Sequence, residues 1–268
     1  MNDTTETSTQ DNDRYTVPAL ERGLRLLACF SPAQPVWNAP ELARSLQLPR
    51  STVFRMLTTL ETSGYLQRSG TDYRLGLAVL RLGYDYLSTQ PLAQLAEPVL
   101  QGLCDALGMT SNLALLDGTS VVYVARITPP GAFQGAVRVG SRLPAHATVL
   151  GRALLQDQDA AQLSALFGGE ELPQFSESTP RHVEDLAQLL AQDRQRGYAM
   201  GEGFYEPGIS SIAAPVRGVG GEVVAGLAVA IPFTELMAEQ TAHWARQVCD
   251  AAEALSGHLR QQHPDFLR

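Results

Sequence analysis

The sequence predicts an α+β protein: an N-terminal winged helix-turn-helix, a linker helix, and a C-terminal α/β domain of the sensor type. Three observations predict it. Residues 17–75 run in the order helix, helix, turn, helix, hairpin. The charge is partitioned, with a basic first third on an acidic body. From residue 110 onward, apolar strand patterns alternate with amphipathic helices.

The tail comes first. MNDTTETSTQDND holds four acids and no base, lacks the form of a secretory signal, and reads as a disordered segment over 1–14. From Val17 to Phe30 the pattern is helical, with Leu20, Leu24, Leu27 and Ala28 on one face, expected inward. SPAQPVWN, residues 31–38, is a proline-punctuated loop. Asn38 caps a second helix, APELARSL, whose Leu42, Ala43 and Leu46 face inward.

Gln47-Leu48-Pro49 turns the chain into a helix over Ser51–Ser63, with Ser51 as cap and Gly64 as stop. At 100° per residue, Val53, Met56, Leu57 and Leu60 share one side. Ser51, Thr52, Arg55, Thr58 and Thr59 share the other, which has no carboxylate before Glu61. A solvated helix face ordinarily mixes both signs; hydroxyls interleaved with arginine suit phosphates and base edges instead. YLQRSGTDYRLG then forms a hairpin, the wing, carrying Arg68 and Arg74. This completes a DNA-binding domain over 15–76. Candidate DNA contacts are Arg50, Ser51, Thr52 and Arg55 for base edges or adjacent phosphates, with Asn38, Thr58, Arg68 and Arg74 for phosphates.

The net charge of −8 hides this domain: residues 14–81 hold nine arginines against four acids, and residues 82–268 hold eleven against twenty. A locally basic segment on an acidic body points to double-stranded DNA. All twenty basic residues are arginine, so every cationic contact uses a planar guanidinium.

A helix over 77–88, apolar on more than one face, reads as a linker (77–90) that packs against a second subunit or within its own domain. A second helix follows at 92–107, opening a domain over 91–262. There TSNLALLDGTSVVYVARI forms a hairpin at Asp117-Gly118, and VRVGSRLPAHATVLGRALL passes from strand through loop into a helix starting near Ala147. Helices at 159–167 and 182–196, two β segments joined at Gly220-Gly221, and a helix at 234–260 complete it. VVAGLAVAI, apolar on both faces, is expected to be central.

The helix near Ala147 would offer unpaired N–H groups to a carboxylate, with hydroxyls from Thr148 and Ser211 and apolar walls from Leu143, Val149, Leu150 and Ile209. His146 either contacts the ligand or caps the helix. Arg126 and Arg138, on strands near the pocket, are expected in surface salt bridges.

Catalysis is not expected. The five histidines have no HExxH spacing, and GEGFYEPG and RGVGGEVVAG match neither GxGxxG nor GxxxxGK[ST]. Cys29, Cys104 and Cys249 are scattered, as buried thiols in a reducing cytoplasm would be. No metal, cofactor or membrane span is expected. Two rival classes are a redox or metal sensor with the same DNA-binding half, and an enzyme domain fused to it.

Taken together, the helix-turn-helix, VGSRLPAHATVLGRALL and RGYAMGEGFYEPGISSIAAPV resemble the IclR family of bacterial transcription regulators over about residues 17–258. LPAHATVLGRALL is the most specific stretch. The resemblance implies a winged helix-turn-helix followed by a GAF-like effector-binding domain, in a homodimer or homotetramer. LRLGYDYLSTQPLAQLAEPVL and LLDGTSVVYVAR are similar to the branch that regulates aromatic-acid catabolism, the β-ketoadipate branch. That similarity implies a small aromatic or other carboxylic acid as effector. By the same resemblance, Leu143, Thr148, Val149 and Leu150 line one wall of the pocket, and Gly201, Ile209 and Ser211 the other. Where some relatives carry a ligand-contacting acid at the position of Gly201, the nearest acid here is Glu202.

Overall fold

The computed structural model describes residues 15–131, 137–205, 208–232 and 238–262. The tail expected over 1–14 lies outside the described residues. The chain divides into two compact units between Tyr86 and Leu87.

The first unit opens with α1, Pro18–Ala28. The core face of this helix differs in part from the expected one. Leu26 is the residue it buries, while Leu20 and Leu24 are exposed. At 100° per residue Leu26 lies roughly 120–160° from Leu20 and Leu24; Leu27, on their side, packs half-buried against the core as expected, while Leu20 and Leu24 extend an apolar stripe beyond it. Residues 37–38 are a short strand, β1 (Trp37–Asn38), where a loop was expected. The Trp37 indole N–H donates to the Cys29 carbonyl at 3.0 Å, tying that segment to the end of α1.

Asn38 closes a reciprocal cap on α2, Ala39–Ser45. Its Oδ1 accepts from the Glu41 N–H, and its own N–H donates to Glu41 Oε2. Gln47 has φ of +55°, the sole positive φ among the described non-glycine residues, and it reverses the chain into α3, Arg50–Thr62. Val53 and Leu57 of α3 pack with Leu26, Leu42, Leu66 and Tyr73 in one small core. Pro49 precedes the helix and no side chain caps it, so Ser51 sits inside the first turn rather than at the cap. β2 (Leu66–Ser69) and β3 (Asp72–Leu75) form the hairpin, and β1 adds to its other edge in the order β1-β3-β2.

α4, Leu77–Ser88, carries the chain from the first unit into the second and buries none of its residues.

The second unit is built on an antiparallel sheet of order β6-β5-β4-β9-β8-β7. Its strands are β4 (Thr110–Asp117), β5 (Ser120–Ile127), β6 (Arg142–Pro144), β7 (Ala199–Glu202), β8 (Ser210–Arg217) and β9 (Val223–Ile231). β9 is central, as its two apolar faces require. Arg138 lies before β6 rather than on a strand. One face of the sheet, with Leu113, Ile212, Leu227 and Val229, packs on α5 (Pro91–Leu107) and α9 (Ala238–Gln262). The other face packs on α6 (Val149–Leu154), behind which lie α7 (Ala160–Phe167) and α8 (Val183–Arg196).

One glycine lets α6 approach the sheet closely, and another lets the helix fold against the turn that precedes it. A Cβ on Gly226 would stand 2.7 Å from Leu150 Cδ2, and one on Gly151 would stand 1.9 Å from the Ala145 carbonyl oxygen. Beneath α6 the Arg152 side chain, 2% exposed, meets the fully buried Asp193 of α8. Its Nε and Nη2 donate to the two carboxylate oxygens at 2.8 and 2.6 Å, and Nη1 donates to the Met200 carbonyl of β7 at 3.0 Å. Removing one member of such a pair strands the other charge in the interior. Asp193→Ala is therefore expected to cost about 3–5 kcal/mol. Urea denaturation followed by a probe in the second unit would show the loss.

Candidate effector cavity and DNA-facing helix

The cavity lies on the α6 face of the sheet, and the strand residues beneath it are small. Ala228 and Ala230 of β9, Ser211 of β8 and Gly201 of β7 all line it, leaving the space that larger side chains would fill. Thr148, Val149 and Leu150 close it from α6, and Leu143, Phe204 and Ile209 complete the walls. Its volume is about 120 Å³. Phe204 is held from behind: its ring faces the Arg152 guanidinium at 5.0 Å, and its carbonyl accepts from the Ser176 and Thr179 hydroxyls.

Seven of the nine effector candidates are brought together here: Leu143, Thr148, Val149, Leu150, Gly201, Ile209 and Ser211. Two are not among the lining residues. Glu202 follows Gly201 on β7, and successive side chains of a strand point to opposite faces. His146 is buried in the turn before α6. There its Nε2–H donates to the Pro173 carbonyl at 2.8 Å and its ring packs edge-on to Phe167.

The helix N-terminus lies two residues later than expected. α6 begins at Val149, is six residues long, and is capped by Thr148, whose Oγ1 accepts from the Gly151 N–H at 3.0 Å. The polar end of the cavity is instead Arg126 of β5, which lines it half-buried. Its Nη1 donates to Oδ1 of the buried Asn112 at 3.2 Å. Arg126 reaches this face because of a register shift: Leu113 pairs with Ala125 but Ala114 pairs with Tyr123, so Val124 is an extra residue. The bulge puts Tyr123 and Arg126, an odd number of positions apart, on one side. Strict alternation would have sent them to opposite sides.

In the first unit Arg50, Ser51, Arg55, Thr58, Arg68 and Arg74 are exposed, and Thr52 and Asn38 are half-buried. Three of these are partly committed. The Thr58 hydroxyl donates to the Phe54 carbonyl at 3.0 Å, so its proton is already used within the helix. Oδ1 of Asn38 serves the cap, which leaves its amide N–H₂ for a phosphate. Arg68 gives Nε to the Gly70 carbonyl and lies over Tyr73, so that donor is already used within the hairpin.

The comparisons with known proteins agree across both units. The IclR helix-turn-helix domain matches residues 19–70, and the bacterial transcriptional regulator IclR C-terminal domain matches residues 84–257. The chain is 30% identical over 245 residues to the HTH-type transcriptional regulator XynR of Escherichia coli K12, covering 91% of this chain and 97% of that protein. It is 34% identical over 222 residues to the Pca regulon regulatory protein of Pseudomonas putida, covering 82% and 76%. An IclR homolog from Microbacterium hydrocarbonoxydans, solved with 4-hydroxybenzoate, superposes with a TM-score of 0.77 at 26% identity, covering 90% and 99%.

Burial of His146 lowers its pKa below the ordinary 6.5, against a smaller opposing effect of the Pro173 carbonyl. Between those two values the unfolded chain binds a proton that the folded chain does not. Stability therefore falls as pH drops through about 6.5. Thermal melts of the wild type and His146→Asn should converge, or cross, on acidification from about pH 7.5 to 5.5. A gap that widens on acidification in favour of the wild type would contradict the assignment.

Proposed function

The chain belongs to the IclR family of bacterial transcriptional regulators, and from that premise we propose which ligand its cavity takes and how the two units divide the work. It is a ligand-responsive DNA-binding regulator. The effector is a small aromatic carboxylic acid, and the observation that carries this reading is Arg126, fixed by Asn112, facing a cavity with apolar walls. A planar guanidinium in such a setting is complemented by a carboxylate. At about 120 Å³, against the roughly 150 Å³ that takes a benzene ring, the cavity holds at most one ring and must widen slightly to admit it. The Thr148 and Ser211 hydroxyls give the ring a polar contact from α6 and β8. Support also comes from the homolog that holds 4-hydroxybenzoate and from the relative that regulates a Pca regulon. The acid is bound rather than turned over.

On the DNA side, α3 enters the major groove of a cytoplasmic operator. Arg50, Ser51, Thr52 and Arg55 meet base edges and adjacent phosphates there, and Arg68 and Arg74 meet the backbone. Two copies bind together. Val17, Leu20 and Leu24 of the α1 segment follow a three-then-four spacing, and so do Leu77, Leu80 and Tyr84 of α4. All six are exposed, Leu77 by 86% and Leu80 by 71%. Apolar seams of that period are what a second copy covers. The assembly is a dimer or a pair of dimers, and the acid favours one spacing of the paired DNA-binding units. A coupling of about 1–3 kcal/mol changes operator affinity about 5- to 150-fold.

A DNA mobility shift with the fragment upstream of the protein's own gene tests the function, run with and without 4-hydroxybenzoate, protocatechuate and aliphatic acids. Specific, salt-dependent binding that an aromatic acid alters is expected; binding indifferent to every acid would end the effector assignment. Calorimetric titration should show Arg126→Gln weakening the active acid about tenfold or more, the worth of a charge-assisted hydrogen bond. Sedimentation of Leu24→Glu/Leu80→Glu should give monomers with weakened operator binding.

A further inference from the structure

α3 carries one residue that neither the hydroxyls nor the arginines of its outer face explain. Phe54 is 53% exposed, in the first half of the helix, flanked on that face by Ser51, Arg55 and Thr58. Its neighbours Val53 and Leu57 fill the core, so the phenyl ring is surplus to the packing of its own unit. The donors beside it are reduced as well: the Thr58 and Thr59 hydroxyls donate to the Phe54 and Arg55 carbonyls one turn back. What remains at this point of the helix is an apolar surface framed by polar groups.

In a recognition helix, the N-terminal half is the part that meets base edges. The major groove presents one apolar group to it, the C5-methyl of thymine; every other distinctive group there is a hydrogen-bond donor or acceptor. We propose that Phe54 is a specificity-determining residue that reads a thymine methyl in each half-site. This rests on the placement of α3 in the major groove. The arginines and Ser51 then fix the helix on phosphates and neighbouring bases, while the ring rejects cytosine and uracil at its own position because neither offers a methyl to cover.

The test uses the full chain. Selection from random duplex DNA gives the preferred operator, and each thymine in it is then replaced singly by uracil, which removes the methyl and leaves base pairing intact. Affinities are measured at one salt concentration for the wild type, Phe54→Leu and Phe54→Ala. One thymine per half-site should respond in the wild type, losing about fourfold for the lost methyl. Phe54→Ala should be indifferent to that same replacement, and Phe54→Leu intermediate. The proposal is overturned if no uracil operator differs from its parent, if Phe54→Ala keeps the wild-type response, or if it weakens selected and random DNA equally. Failure to select any sequence would instead overturn the placement of α3 on which the proposal stands.

Discussion

The buried pair of Arg152 and Asp193 is the contact on which the second unit converges. Its atoms join α6 to α8, reach the Met200 carbonyl beside Gly201 on β7, and place a guanidinium against the Phe204 ring. Arg196, one turn further along α8, makes a second ion pair with the same carboxylate. An arginine without its partner could not stay at this depth, so the pair holds α6, β7 and the loop carrying Phe204 in one arrangement. Those three segments are also walls of the cavity. Its shape is thus set from behind, by Arg152 and Asp193, which do not line it.

The cavity itself is made by omission. A sheet face packed by a helix is ordinarily filled; here Ala228, Ala230, Ser211 and Gly201 leave the space open while Val149 and Leu150 roof it. Gly201 takes part in a second way. A Cβ there would stand 3.0 Å from both Phe204 and Val149, so a side chain at that position would compete with the ring that now closes the wall. The charged end comes from the bulge at Val124, which turns one arginine inward where regular pleating would have turned it out. Size selection and charge selection therefore have separate structural origins on one surface.

The first unit follows a different economy. Its core is small, drawn from α1, α2, α3 and the hairpin, and much apolar surface is left uncovered on α1 and α4. In the proposed assembly a DNA-binding unit of this size grips one half-site, and the uncovered seams are the surfaces on which a second copy would supply the other. Its outer face is economical too. Thr58 and Thr59 satisfy themselves on the helix backbone, so the proposed contact with DNA rests on arginines, Ser51 and the phenyl ring of Phe54.

Local chemistry determined much of this in the sequence alone. The cap at Asn38, the turn before α3, the hairpin after Gly64 and the Asp117-Gly118 hairpin each depend on a few adjacent residues, and each is read from them. The apolar run of β9 likewise shows its central place, because only a strand covered on both faces tolerates it. Seven of the cavity's residues follow from the family resemblance carried by two motifs whose members lie close in sequence. Only the tertiary structure decided which stripe of α1 is core, since Leu20 and Leu26 are equally apolar and differ in what they face. It decided that His146 is enclosed by Phe167 and Phe175, more than twenty residues away, and that Glu202 lies off the cavity. And it decided the role of Arg126: one extra residue in β5 reversed the alternation, and Asn112, on the neighbouring strand, supplied the acceptor that holds it there.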